Sequence, residues 1–295
     1  MDSVGSGDID GFGRNLLNVL GVNTIQAAMA ALSTRCNGTG KPNFSGLALG
    51  DYIDGIDLSA IPAENSGTAG QPWNDTYKNN RIVIAGFNTY KGMGDAENAK
   101  NHILFTFRDI PLNKCMNSSN DNTGGYRESE LRAFLEGMYG NGTGDKSGVT
   151  TAAFMNALKA QIGNYLYSIR KLHSTKSSNV WSTYTVWLPS EIEVFGVPCY
   201  GDEGVYMPAI TSPTIAARVG GITPIQIPLY QKSFVYRTKR YNGSKQLWWL
   251  QTPYSSAAGF FAYVNYNGYS NNLTAASVGG CAPDSVKCNM VDRYG

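Results

Sequence analysis

Apolar residues recur at helical spacing near the start of the chain: Leu16, Leu17 and Leu20, then Ile25, Ala28, Met29 and Leu32. Gly21 interrupts the run, and Asn23 or Thr24 is placed to cap a second helix. This predicts an N-terminal helical element over residues 14–45, after a Gly/Asp/Ser-rich lead over 1–13 that reads as flexible. The element could attach the chain to a larger assembly or pack against a second copy, so a homo-oligomer stays open.

Residues 81–87 (RIVIAGF) and 102–107 (HILFTF) are rich in β-branched and aromatic side chains and predict strands. Residues 128–139 place Leu131, Phe134, Leu135 and Met138 on one helical face. A longer helix is expected over 151–169, with Phe154, Leu158, Ile162, Tyr165, Leu166 and Ile169 in line. A strand over 185–188 runs into Ser190 and Glu193, which carry the spacing of a capping box, so a short helix ending at Gly196 should follow. Beyond that point the helical period disappears. Strand signals recur at 233–238, 246–251, 259–265 and 278–282, separated by Asn, Gly and Ser. The expected organisation is α+β: a helical lead, then one domain over 46–295 whose C-terminal third is β-rich and loop-rich.

Composition sharpens this. Charged residues make up 16% and net charge is +2, so Asn, Ser, Thr, Gly and Tyr must supply much of the polar surface. No basic stripe marks a nucleic-acid binder, no apolar run reaches the length of a membrane span, and no signal-peptide pattern opens the chain. Gly (34) and Tyr (18) are abundant; loops flanked by rigid amphipathic rings are the chemistry antibody paratopes use. Five widely spaced cysteines without a CxxC pair argue against a zinc site or a disulfide scaffold. Buried free thiols are expected, with a Cys281–Cys288 bridge as a minor alternative.

Five segments in order resemble a domain common in tail proteins of gut-bacterium phages and prophages: 125–132 (GYRESELR), 188–196 (LPSEIEVFG), 248–254 (WWLQTPY), 261–265 (FAYVN) and 279–283 (GGCAP). The likeness covers roughly residues 46–286. It departs at Gln251, where Arg is usual, at Cys281, where a small aliphatic residue is usual, and at Ser285, where an aromatic is usual. The resemblance implies a C-type-lectin-like fold of the kind shared by formylglycine-generating enzymes. It also implies a likeness to the variable proteins of diversity-generating retroelements, whose C-terminal segment is mutated at adenines.

Randomising the adenines of an AAC or AAT codon never yields Lys, Glu, Gln, Trp or Met. Those five types supply 41 of the 295 residues, yet none occurs from 252 to 286, where about five would be expected. The implied function is receptor or ligand binding at a phage tail tip or extracellular surface. The implied partners are a host cell-surface protein or glycan and neighbouring phage tail proteins, without nucleic acid or membrane insertion. The expected surface comprises Tyr254, Ser255, Ser256, Ala258, Phe260, Phe261, Tyr263, Asn265, Tyr266, Asn267, Tyr269, Ser270, Asn271 and Asn272, with Trp248, Trp249 and Pro283 as its frame. Alternation places Ala262 and Val264 inward and Phe261, Tyr263 and Asn265 outward.

Catalysis, cofactor and metal are not expected. His102 and His173 lie near no GxSxG or Cys nucleophile and read as structural. Glu128 with Glu130, and Glu191 with Glu193, are two apart and share no helical face, so capping and solvation explain them. Residues 71–75 (QPWND) combine calcium-lectin triplets in one loop, whereas calcium needs oxygens from several. Two other readings stay open: a cell-wall or glycan hydrolase in which Asp202, Glu203 and Asp284 converge, and a structural tail component whose C-terminal face is buried.

Overall fold

The computed structural model describes residues 13–37, 41–61, 79–91, 100–138, 152–176, 179–201 and 226–287. The lead over 1–12 and the 71–75 motif lie outside them.

The chain opens with α1 (Leu16–Leu20) and α2 (Ile25–Cys36). Asn15 caps α1 by accepting from Leu17 N, Gly21 ends it at φ 66°, and Thr24 caps α2. Leu16, Ala28, Met29 and Leu32 are buried in the same core as the rest of the molecule, and α2 packs on a later helix, α4 (Ala153–Ile162). The Asp51 carboxylate accepts from the backbone of Arg14 and Ala48 and from the Arg14 guanidinium, tying the lead to the strand that follows. Leu17, Leu20 and Ile25 of the same apolar stripe are half-buried against this core.

The first sheet takes β1 (Tyr52–Ile56), β2 (Asn80–Phe87) and β3 (Ile103–Phe107), then the last strand, β15 (Asp284–Lys287), which pairs antiparallel with β3. β5 (Leu166–Tyr167) and β8 (Val186–Trp187) flank β15 on its other side. The second sheet has the order β13-β12-β11-β14-β4 and is built from β4 (Leu112–Cys115), β11 (Trp248–Pro253), β12 (Phe260–Val264), β13 (Ser270–Thr274) and β14 (Val278–Cys281). Only its β11–β14 pairing is parallel. Neither sheet closes. Two hairpins, β6 (Ile169–Ser174) with β7 (Asn179–Tyr184) and β9 (Lys239–Tyr241) with β10 (Ser244–Gln246), stand beside them.

Of the remaining helices, α3 (Glu130–Glu136) packs on α4 and β8, α5 (Glu191–Phe195) on β11, and α6 (Pro228–Lys232) on β2 and α5. The α+β organisation is therefore as expected, with three local departures. Gly163 at φ 74° ends α4, so the expected helix over 151–169 stops early and its tail becomes β5 and β6. The helix over 128–139 divides at Ser129 into a 3-10 turn and α3. Residues 233–238, expected as a strand, form a 3-10 turn (Phe234–Arg237), because the Ser233 side chain accepts from Val235 N and starts it. No helix among the described residues is long and apolar enough to cross a membrane.

Candidate functional site

The site begins with a rigid floor. All six residues of β11 are buried. Trp248 donates Nε1–H to the Arg237 carbonyl at 2.8 Å and stacks on Tyr230. Trp249 donates to the Lys114 carbonyl at 2.9 Å and meets the Tyr263 ring edge-on, with centroids 6.4 Å apart. Pro283 is buried as well. All three are buried, as their expected place as frame requires.

The capping box at Ser190 and Glu193 forms as expected, but neither acid of the pair is solvated. Glu193 accepts from Ser190 N at 2.7 Å, from Tyr90 Oη at 2.6 Å and from the Lys171 ammonium. Glu191, 0% exposed, accepts three backbone N–H groups on one oxygen: Cys199 at 3.1 Å, Tyr200 at 2.9 Å and Gly201 at 2.9 Å. Its other oxygen takes the Ser270 hydroxyl. Two residues apart on a short helix, the two carboxylates point to different neighbours, so both can be buried and satisfied. Glu191 N also donates to Thr252 Oγ1, which fastens α5 to β11.

Beside β11 in the same sheet lies the β12–β13 hairpin. Asn265 Oδ1 accepts from Asn267 N at 2.9 Å and Tyr269 N at 3.1 Å, fixing the turn. Gly268 has φ 84°, and a Cβ there would stand 2.7 Å from Phe234, so the turn sits directly on that ring. The loop over 254–259 is held by Asn122, which donates to the carbonyls of Tyr254, Ala257 and Phe260 and accepts from Gly259 N.

The expected surface residues divide under this geometry. Ser256, Ala258, Tyr266, Asn267 and Tyr269 are exposed; Tyr254, Ser255, Phe260, Tyr263, Asn265, Ser270, Asn271 and Asn272 are half-buried. Phe261 is 0% exposed, which corrects its outward placement: the middle of β12 is covered on both faces, at Phe261 and at Ala262. Ser255 and Ser270 turn toward the frame, donating to the Tyr200 carbonyl and to Glu191.

Two further rings join the surface that the sequence pattern did not mark, and an exposed Val197 lies near one of them in sequence. Phe234 packs on Tyr269 with centroids 5.7 Å apart, Tyr200 packs edge-on to Tyr254 at 5.4 Å, and Val197 stands in the loop leading to Tyr200. The large apolar side chains most exposed among the described residues are Val197 (47%), Phe234 (45%), Tyr266 (57%) and Tyr269 (62%). The Tyr263 hydroxyl is pushed above its ordinary pKa, first by burial and then by Tyr200 and Tyr266 nearby. The only sequence signal for Phe234 and Tyr200 was an aromatic beside Ser or Gly.

Other candidates resolve simply. His102 is buried and neutral: Nε2 accepts from Tyr90 N at 3.1 Å, Nδ1 lies 3.0 Å from the Lys100 carbonyl, and burial pushes its pKa down to about 4. His173 has its backbone in β6. Cys36, Cys115 and Cys281 are buried free thiols, and Cys199 is an exposed one. Among the described residues no three His, Cys, Asp or Glu side chains gather as a metal site. Asp202, Glu203, Cys288 and the Asp284 side chain lie outside the described residues.

Residues 100–283, well over half the chain, match a family described as a Domain of unknown function (DUF6273). The chain belongs to this family. No curated protein and no solved structure matches it. The DUF6273 match runs from just before β3 to the end of the β14 connection, so it contains Asn122, Glu191, both tryptophans and the whole hairpin surface. The helical lead, β1 and β2 fall outside it.

Proposed function

We propose that this DUF6273 protein is a binding protein whose recognition surface is the face over 254–272, completed by Val197, Tyr200 and Phe234. The observation that carries the proposal is the clustering of exposed rings. Tyr266 and Tyr269 flank one tightly bonded turn, Phe234 packs against it, and the frame behind them is fully buried. Exposed aromatics concentrated on one face exceed what solubility requires and mark a contact surface.

The scaffold reading is C-type-lectin-like. It is supported by a last strand that returns to pair beside an early one, and by a second sheet that carries a loop-rich edge. The setting we propose is a phage or prophage tail-tip adhesin diversified by a retroelement, acting at the virion tail or an extracellular surface with tail proteins as neighbours. The absence of Lys, Glu, Gln, Trp and Met from 252–286 supports diversification through AAC or AAT codons.

Replacing Tyr263, Tyr266 and Tyr269 together by Ala tests the surface. Loss of binding to target cells by a folded triple variant is expected, and retained binding would sink the proposal. A near-repeat of the codons for 252–286 beside a reverse-transcriptase gene is expected in the neighbouring DNA; its absence would remove diversification and leave the surface standing.

A further inference from the structure

We infer that the surface takes a neutral glycan. This rests on the reading of 254–272 as a recognition surface and names its ligand class. Residues 246–283 are 38 consecutive positions without Asp, Glu, Lys, Arg or His, in a chain that otherwise carries 24 basic and 22 acidic residues. The loop over 194–201, which adds Val197 and Tyr200, is uncharged too. Glu191 lies behind the surface, fully buried and occupied by four donors. The guanidinium of Arg237 is held over Phe195 and Phe234, 5.3 and 5.5 Å from their centroids, and donates to the Tyr230 carbonyl.

An ionised ligand group pressed onto the 246–283 stretch would lose hydration without gaining a charged partner there. The charge complement of this face is therefore a neutral one. Among neutral ligands its texture favours sugars over protein. A protein epitope of ordinary size brings a charged, polar rim around its contact core, and here 38 successive residues offer such a rim no opposite charge.

The exposed rings are instead interleaved with side-chain amides: Tyr266 and Tyr269 alternate with Asn265, Asn267, Asn271 and Asn272. A pyranose presents polarised C–H groups on its faces and hydroxyls around its edge. An aromatic face attracts the first, and amides serve the second. Asn265 Oδ1 and Asn271 Oδ1 already accept backbone N–H groups of residues 267, 269 and 272. This fixes both amide planes before ligand arrives, and their Nδ2 groups have no partner among the described residues. Donors fixed in advance lower the ordering cost of binding.

The test uses the full chain. Immobilised mannan, galactan and glucan are compared with heparin and polysialic acid, and intact gut-bacterial cells are probed after proteinase K or after periodate, which cleaves vicinal diols. The expected result is binding to a neutral polysaccharide that changes less than about twofold between about 0.05 and 0.5 M NaCl. Cell binding should survive proteinase and be lost on periodate. Tyr266→Ala with Tyr269→Ala should weaken both at least about tenfold, with an unchanged unfolding midpoint.

Preference for heparin or polysialic acid overturns the inference, as does failure to bind any glycan or cell. Cell binding lost to proteinase and kept after periodate identifies a protein ligand and overturns the glycan; if the tyrosine variant still loses it, the recognition surface stands. Cell binding of wild-type strength by the folded tyrosine variant overturns the surface itself.

Discussion

Glu191 holds the surface together, and removing it should show how much. The Glu191→Ala change leaves three backbone N–H groups, of Cys199, Tyr200 and Gly201, and the Ser270 hydroxyl without their acceptor. A buried donor left unmatched costs roughly 1–3 kcal/mol. Gly201 is buried, whereas Cys199 and Tyr200 are reached in part by water, so the sum belongs near the lower end, at about 3–4 kcal/mol. For a chain of this size each kcal/mol moves the unfolding midpoint by about 2–4 °C, giving a drop of about 6–16 °C. Glu191→Gln keeps an acceptor oxygen for the three N–H groups and an amide for Ser270 Oγ, losing only the charge assistance, about 1–2 kcal/mol. Urea unfolding followed by tryptophan fluorescence measures both, since Trp187, Trp248 and Trp249 are buried. Hydrogen exchange at residues 199–201 should rise by about a hundredfold or more in the Ala variant alone. An Ala variant within about 0.5 kcal/mol of wild type, or a Gln variant as unstable as Ala, would refute the role given to this carboxylate.

Phe261→Ala should cost about 3–5 kcal/mol by calorimetry or denaturant titration, while Tyr266→Ala should cost under about 0.5 kcal/mol; equal costs would show that the burial pattern of β12 is wrong. His102 titrates near 6.5 when unfolded and near 4 when folded, because burial disfavours the imidazolium. Between those values the unfolded chain binds the extra proton, so His102's contribution is intact above about pH 6.5 and falls by about 3 kcal/mol toward pH 4. A His102→Gln variant should show a correspondingly flatter urea midpoint between pH 7 and 4.5, and an equal slope would contradict this. Lys171→Met alone leaves Glu193 buried with its charge unpaired and should cost about 3–5 kcal/mol, whereas Lys171→Met with Glu193→Gln should recover part of it; a double variant no more stable than the single one would count against an ion pair there.

What the sequence disclosed was local. Ser190 and Glu193 announce a capping box because both partners lie within one turn. The strands at β2 and β3 announce themselves by runs of Ile, Val and Phe. The paired tryptophans and Pro283 read correctly as buried, since large apolar groups amid Gly and Ser have few places to go but inward. The failures share a different cause. Leu158, Ile162, Tyr165, Leu166 and Ile169 keep a helical period straight through Gly163, where the left-handed backbone of that one residue overrides it. Phe261 alternates outward on paper, yet its strand is covered on both faces. The partnerships of Glu191 with Ser270, and of Phe234 with Tyr269, span 79 and 35 positions and depend on how the second sheet docks, which no local pattern encodes.

The central claim is that a fixed frame carries an exchangeable surface. A saturation scan of residues 248–283, sorted separately for folding and for cell binding, tests it most directly. Positions 256, 258, 266, 267 and 269 should accept most substitutions in the folding sort while changing the binding sort. Positions 248, 249, 261, 262 and 264 should fail both. If the exposed positions prove as intolerant of folding changes as the buried ones, or accept substitution without any effect on binding, then this face is ordinary structure and not a recognition surface.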